Sequence, residues 1–182
     1  MREIFVNKFG RDVKIIGVGE YYATGKKEAI ATVVGSCIST CLYEEGGSIG
    51  GMNHFLIPGD FRDEEIFISP TARFGMYAME LLLGELIKLK ADRSKLRAKF
   101  FGGADRLGSM ATGIGSNNAR FVKVFLEMEG IPIVSSDIGG NYARKLIFFP
   151  DTGKIMLKKI TVDVNKIVDT EARYRKKIEL EI

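Results

Sequence analysis

Residues 35–54 read GSCISTCLYEEGGSIGGMNH and hold both cysteines and the only histidine of the chain. CISTCLY at 37–43 is rich in β-branched residues and reads as a strand. SIGGMNHFLIP at 48–58 reads as the next strand, with a bend at Gly50 and Gly51. The loop Glu44–Gly47 joins the two as an antiparallel hairpin. Tyr43 opposite Ser48 then sets a register in which Cys37 faces His54 directly, with Cβ atoms ~5 Å apart on one face. A bulge at Gly50–Gly51 would shift that register by one residue.

This geometry limits what the two cysteines can do. On one strand, Cys37 and Cys41 point the same way but lie ~13 Å apart, well beyond disulfide reach. A metal site needs more donors than two distant cysteines and one histidine, and the chain has no second CxxC and no HxxxH. Thiolate chemistry is one remaining reading: an imidazole beside a thiol lowers its pKa by forming an ion pair. The N–H groups of Gly35, Ser36 and Cys37 would point at a developing oxyanion. In the other reading, Cys37 is a small buried hydrophobe and His54 a hydrogen-bonded core histidine. Spacing alone leaves both open. Cys41 would pair with Gly50, far from any base, and reads as inert.

Outward from the hairpin, EAIATVVGS (28–36) is a strand ending at Gly35, and DVKIIGVGEYYAT (12–24) a strand running into a turn. A helix is predicted from Ser69 as N-cap with Pro70 at its first position. Its core stripe is Phe74, Ala78, Leu81, Leu82, Leu86 and Leu89. RAKFFGG is a strand entering a glycine turn. Ser116, Asn117 or Asn118 would cap a second helix closed by Gly130. IPIVSSDIGG is a strand and glycine loop, and KLIFFPDTGKIMLKKI a hairpin turning at Pro150–Gly153. Without regular βαβ spacing, the expectation is one layered α+β (mixed α/β) domain of mixed sheets flanked by helices. Residues 1–160 form that domain, and 161–182 are a charged C-terminal tail.

Length and composition fit an ordinary globular protein of 182 residues, 46% of them hydrophobic. Charges in MREIFVNKFGRD argue against a signal peptide. No window approaches ~18 apolar residues, so no membrane insertion is expected. Two cysteines in so long a chain suit a reducing cytoplasm. The net charge of +4 favours an acidic partner surface. Basic and acidic residues are interspersed, and nucleic acid is not an expected partner.

The motifs GVGEYYAT (17–24), TVVGSCISTCLY (32–43), GGMNHFLIP (50–58), FFGGADRL (100–107), IGSNNARF (114–121) and DIGGNYARKLIF (137–148) follow one another through most of the chain. In these it resembles the CheD family, the chemoreceptor glutamine deamidases of bacterial chemotaxis. The resemblance implies hydrolysis of glutamine side-chain amides on methyl-accepting receptors, with an associated receptor methylesterase activity. It also implies a fold like that of toxin deamidases. Carried over, the nucleophile falls on Cys37 and the base on His54. The third member, a threonine a few residues before the nucleophile, falls on Thr32, with Ala31 next to it. Ser36 and Cys37 would supply the oxyanion donors. No cofactor and no metal are implied, since an amide and water suffice.

Partners would be the cytoplasmic helices of the receptors and a CheC-type phosphatase. A non-catalytic adaptor binding either one, and a hydrolase of a small amide, are the competing readings. Gly102, Gly103, Gly139 and Gly140 read either as turns or as a rim letting a receptor helix approach. Arg120 and Arg144 read either as rim contacts or as structural ion pairs.

Overall fold

The computed structural model describes residues 1–57, 70–105, 113–161 and 165–179. Among the described residues, ten strands and three α-helices follow in the order β1 (Arg2–Val6), β2 (Arg11–Ile15), β3 (Tyr21–Thr24), β4 (Ala29–Val34), β5 (Ile38–Glu44), β6 (Gly50–Asn53), α1 (Ala72–Lys88), β7 (Leu96–Gly102), α2 (Ile114–Met128), β8 (Ile133–Ile138), β9 (Ala143–Phe149), β10 (Lys154–Ile160) and α3 (Asn165–Glu179). They build two five-stranded sheets, β1-β2-β4-β9-β10 and β3-β6-β5-β7-β8. Both are mixed: β2–β4 and β7–β8 run parallel and the other pairs antiparallel. The class is α+β, as the intermixed strands and helices predict.

Side-chain alternation sorts each central strand between two cores. From β4, Ile30 and Val34 meet Leu146 and Phe148 of β9 and, across the sheets, Cys37, Cys41, Met52 and Phe101. The other face of the second sheet, with Ile38, Leu42, Ala98 and Phe100, packs on α1 and α2 through Met79, Leu82, Leu86, Phe121 and Phe125. The layers are therefore sheet, sheet, helices. Ala29 and Ala31 of β4 point out of the sandwich, toward Val13 and Phe149.

The hairpin register differs from the expected one. Cys41 pairs with Met52, Leu42 with Gly51 and Tyr43 with Gly50, and Ile38 bridges Phe55. The turn is longer than Glu44–Gly47, because the Glu44 N–H closes it on the carbonyl of Ile49. The displacement is two residues. Cys41 opposes Met52, not Gly50, and His54 is a diagonal neighbour of Cys37. Because strand side chains alternate with period two, a shift of two keeps both on one face.

The helices also differ in detail. Ser69 lies outside the described residues; α1 begins at Ala72 with Thr71 at its N-cap. Its buried stripe is Ala72, Gly75, Met79, Leu82, Leu83 and Leu86, rotated from the predicted one, and Leu89 is exposed. α2 begins at Ile114 after Gly113, so Ser116, Asn117 and Asn118 lie inside the helix rather than at its cap. Asn117 and Asn118 are buried, which a cap residue need not be. Between Ile15 and Tyr21 the chain turns and starts a separate strand, β3.

Candidate active site

β4 ends in the first sheet at Val34 and β5 begins in the second at Ile38, so Gly35, Ser36 and Cys37 carry the chain from one sheet to the other. This crossing is fastened from behind. The Cys37 carbonyl accepts from Gly103 N–H at 2.9 Å and the Gly35 carbonyl from Ala104 N–H at 2.9 Å. Gly102 makes this approach possible. Its φ is +120°, and a Cβ there would collide with the Cys37 carbonyl oxygen. Asn118 adds a bond from Nδ2 to the Ser36 carbonyl, 3.4 Å, while its Oδ1 accepts from Ile57 N–H at 2.7 Å. With their carbonyls tied back, the N–H groups of Gly35, Ser36 and Cys37 face a common point.

His54 follows β6 and is also held by its backbone. Its N–H donates to the Glu20 carbonyl at 2.9 Å and its carbonyl accepts from Gly19 N–H at 2.7 Å. The ring meets Thr32, whose Oγ1 lies 2.8 Å from Nδ1. The same hydroxyl donates its one proton to the Ile16 carbonyl, 2.8 Å away. It can then only accept from the imidazole, which assigns the ring proton to Nδ1 and leaves Nε2 with a lone pair. Nε2 is buried and has no hydrogen-bond partner among the described residues. Ala31 faces the other side of β4, so of these two neighbours only Thr32 reaches the ring.

Cys37 is fully buried, His54 is 3% exposed and Thr32 2%. Burial pushes the His54 pKa down to about 4, with weaker opposing effects from Glu171 and Glu20. Burial also pushes the Cys37 thiol well above its ordinary value, and the charge of Glu171 and a hydrogen bond to it push the same way. In this form the pair is a neutral thiol beside a neutral imidazole. The expected thiolate–imidazolium pair is not what this site holds, because desolvation disfavours both charges.

Glu171 of α3, a residue that sequence reasoning missed, is 1% exposed and reaches across the crossing. One carboxylate oxygen accepts from Gly35 N–H at 2.8 Å and Cys37 N–H at 3.4 Å. The other accepts from Ser36 N–H at 2.9 Å and the Ser36 hydroxyl at 2.7 Å. The Cys37 sulfur, a His54 nitrogen and a Glu171 oxygen all lie within 4.8 Å of one another. Sulfur, nitrogen and oxygen are a set that zinc accepts. Here both carboxylate oxygens are engaged by N–H and O–H donors, so holding a cation would require Glu171 to give up that cradle. Glu171 did carry a signal: it shares a helical face with Ile167 and Tyr174, an acid on the apolar side of an amphipathic helix.

The remaining candidates sit elsewhere. Gly102 and Gly103 are buried beneath the crossing and form no exposed rim. Gly139 and Gly140 have φ of +71° and +76°, and the Gly139 N–H donates to the Gly102 carbonyl at 3.0 Å. Arg144 is fully buried, bonded to Asp137 at 2.6 Å and to the Gly139 carbonyl at 2.8 Å, which is a structural ion pair and leaves no surface for a partner to touch. Arg120 is half-buried on α2. Cys41 is buried between the sheets, and both thiols are free.

A buried thiol, an imidazole with one nitrogen tied and the other open, and converging backbone N–H groups are the equipment of cysteine-dependent acyl hydrolysis. Comparison with known proteins narrows this class. The model of the family described as CheD chemotactic sensory transduction matches residues 56–159. A Herminiimonas arsenicoxydans protein named "Probable chemoreceptor glutamine deamidase CheD" is 42% identical over 173 residues, 94% of this chain and 85% of its own. A Shewanella oneidensis protein, "Probable chemoreceptor glutamine deamidase CheD 1", is 44% identical over 173 residues, 94% of this chain and 84% of its own. The chain belongs to the CheD family. A solved Neisseria meningitidis protein aligns over 71% of this chain and 64% of its own at 13% identity and a TM-score of 0.39, too distant to bear on fold or activity. No helix among the described residues is long and apolar enough to cross a membrane.

Proposed function

We propose that the protein is a chemoreceptor glutamine deamidase in which Cys37 is the nucleophile, His54 the acid–base and Thr32 the residue that orients His54. The observation that carries the reading is the double use of the Thr32 hydroxyl, which leaves His54 with its lone pair on Nε2, in a ring that has a nitrogen within 4.8 Å of the Cys37 sulfur. Nε2 takes the Cys37 proton, and the sulfur attacks the side-chain carbonyl carbon of glutamine. The oxyanion is held by the N–H groups around Ser36 and Cys37. The protonated His54 gives its proton to the departing ammonia, leaving a thioester. Water, deprotonated by the same nitrogen, cleaves the thioester to glutamate and restores the thiol. Net, an amide and water become a carboxylic acid and ammonia. A methyl ester would follow the same course with methanol as leaving group, the route that the methylesterase activity implied by the resemblance would take.

The substrates in this reading are cytoplasmic receptor helices, and the proposed location of the protein is accordingly the cytoplasm. A CheC-type phosphatase is the second proposed partner, on the strength of the family resemblance. The presence of both Cys37 and His54 argues against the non-catalytic adaptor. The test is incubation with receptor cytoplasmic fragments and mass spectrometry of each glutamine-containing peptide. Conversion to glutamate by the wild type and none by Cys37→Ala is expected, and equal conversion by both would overturn the assignment.

A further inference from the structure

The crossing already holds the chemical group that deamidation produces. Glu171 is a glutamate side chain with its carboxylate in the N–H cradle, beside Cys37 and His54. Among the described residues no cation pairs with it. It is stabilised by N–H and O–H donors alone, the kind of donor an oxyanion site offers. A charged group buried this way is costly unless those bonds are good, and the rest of the buried face of α3 is apolar.

The helix around it is shaped to the same groove. Ile167 and Val168, four and three residues before Glu171, pack on Ala104 and Ala143, and Tyr174, three residues after, packs on the inter-sheet core. Apolar anchors at these spacings are how an amphipathic helix lies in a groove. Two cavities flank it. One of about 440 Å³ is lined by Ile16, Val18, Thr32, His54, Ile167 and Glu171. Another of about 230 Å³ is lined by Glu20, His54, Leu56, Phe74, Tyr77 and Tyr174. His54 borders both, and α3 contributes to both walls, so the helix lies between two openings that reach the candidate base. Glu171 also pushes the Cys37 thiol up.

We infer that α3 is a tethered product mimic: it seats Glu171 in the pocket meant for the substrate side chain, caps Cys37, and is displaced by a substrate helix that docks in the same groove. This rests on the reading of Cys37 and His54 as the reacting pair. It deepens that reading by giving the resting enzyme a built-in competitor. It also specifies what a displacing helix presents: a glutamine with an apolar residue four or three positions before it and another three after.

The test uses full-length wild type, Glu171→Ala, Glu171→Gln and Ile167→Asp, the last changing an anchor outside the cradle. If the uncapped form is populated at ~0.1–10%, uncapping raises iodoacetamide labelling of Cys37 about tenfold or more. Deamidation of a receptor fragment rises with it, mainly through a lower KM. In the Glu171→Gln chain the introduced glutamine is itself converted to glutamate, and it stays glutamine when Cys37→Ala is added. Unchanged labelling and deamidation in both Glu171→Ala and Ile167→Asp would overturn the mimic and leave the deamidase reading standing. So would persistence of the introduced glutamine in an enzyme that converts receptor glutamines. Faster labelling with no deamidation by any variant would sink the deamidase reading while keeping α3 as a cap. Should Glu171→Ala fail to fold, the near-isosteric Glu171→Gln and the remote Ile167→Asp decide the question.

Discussion

The Thr32 hydroxyl stands 2.8 Å from His54 Nδ1 while spending its own proton on the carbonyl of Ile16. One oxygen thus settles the tautomer of the chain's single histidine. Replacing Thr32 with valine keeps shape but removes the acceptor, leaving the ring to rotate or to carry its proton on Nε2. Displaced catalytic groups commonly cost ~10² in rate, so Thr32→Val should lose about that much kcat with its melting temperature little changed. Thr32→Ser, which keeps the hydroxyl, should recover most of it. Equal rates in the two variants would show that the ring needs no such partner.

Burial of His54 ties stability to pH. Its folded pKa lies at about 4, below the ordinary 6.5, so the unfolded chain binds the extra proton between those values. Stability from this residue is complete above pH 6.5 and is lost as pH falls toward 4, up to about 3 kcal/mol in all. Denaturant midpoints measured across that interval should fall toward acid in the wild type and be flatter in His54→Ala. NMR titration of the one imidazole should show it neutral at pH 5.5. A charged ring at that pH would contradict the burial argument.

Gly102 supports the crossing with a φ no ordinary side chain adopts readily, and with no room for a Cβ against Cys37. Gly102→Ala should destabilise the fold by about 2 kcal/mol or more from backbone strain and collision together. Deamidation should fall beyond what the lost stability explains, because the Cys37 carbonyl loses its seat. Activity assayed well below the melting temperature separates the two effects. Unaltered turnover there would mean that the crossing tolerates displacement.

Cys41 is the contrasting thiol. It is fully buried, and burial pushes its pKa far up. It should resist alkylation until the protein unfolds. Cys41→Ala should cost about 1–2 kcal/mol of stability for the lost packing and leave turnover intact. Labelling of Cys41 before Cys37 in the native protein would reverse the roles given to them.

Much of this is legible from local pattern. Alternation in CISTCLY and EAIATVVGS fixes which residues face each other, and that parity survives the two-residue error in hairpin register. It is also why Thr32, and not Ala31, meets His54. The register itself is not legible, because the loop has no Asn-Gly or Asp-Gly pair to pin a two-residue turn, and Glu44-Glu45-Gly46-Gly47-Ser48 permits more than one turn length. Asn118 reads as a cap because asparagine suits helix starts; its actual use, tying Ser36 to α2, depends on a contact 82 residues away. Glu171 meets Ser36 across a separation of 135 residues, which no periodicity reports. Arg144 shows the same limit: its charge suggests the surface, while Asp137 and backbone carbonyls hold it inside.

The place of Gly35, Ser36 and Cys37 between the sheets has a consequence for heat inactivation. Thr32 comes from one sheet, His54 from the other, and the nucleophile from the span that joins them. Loosening the sandwich therefore separates all three at once, and the reaction centre has no local melting of its own. Residual activity in a heated sample should follow near-ultraviolet circular dichroism through a single transition, so that each surviving unit of activity counts one intact molecule.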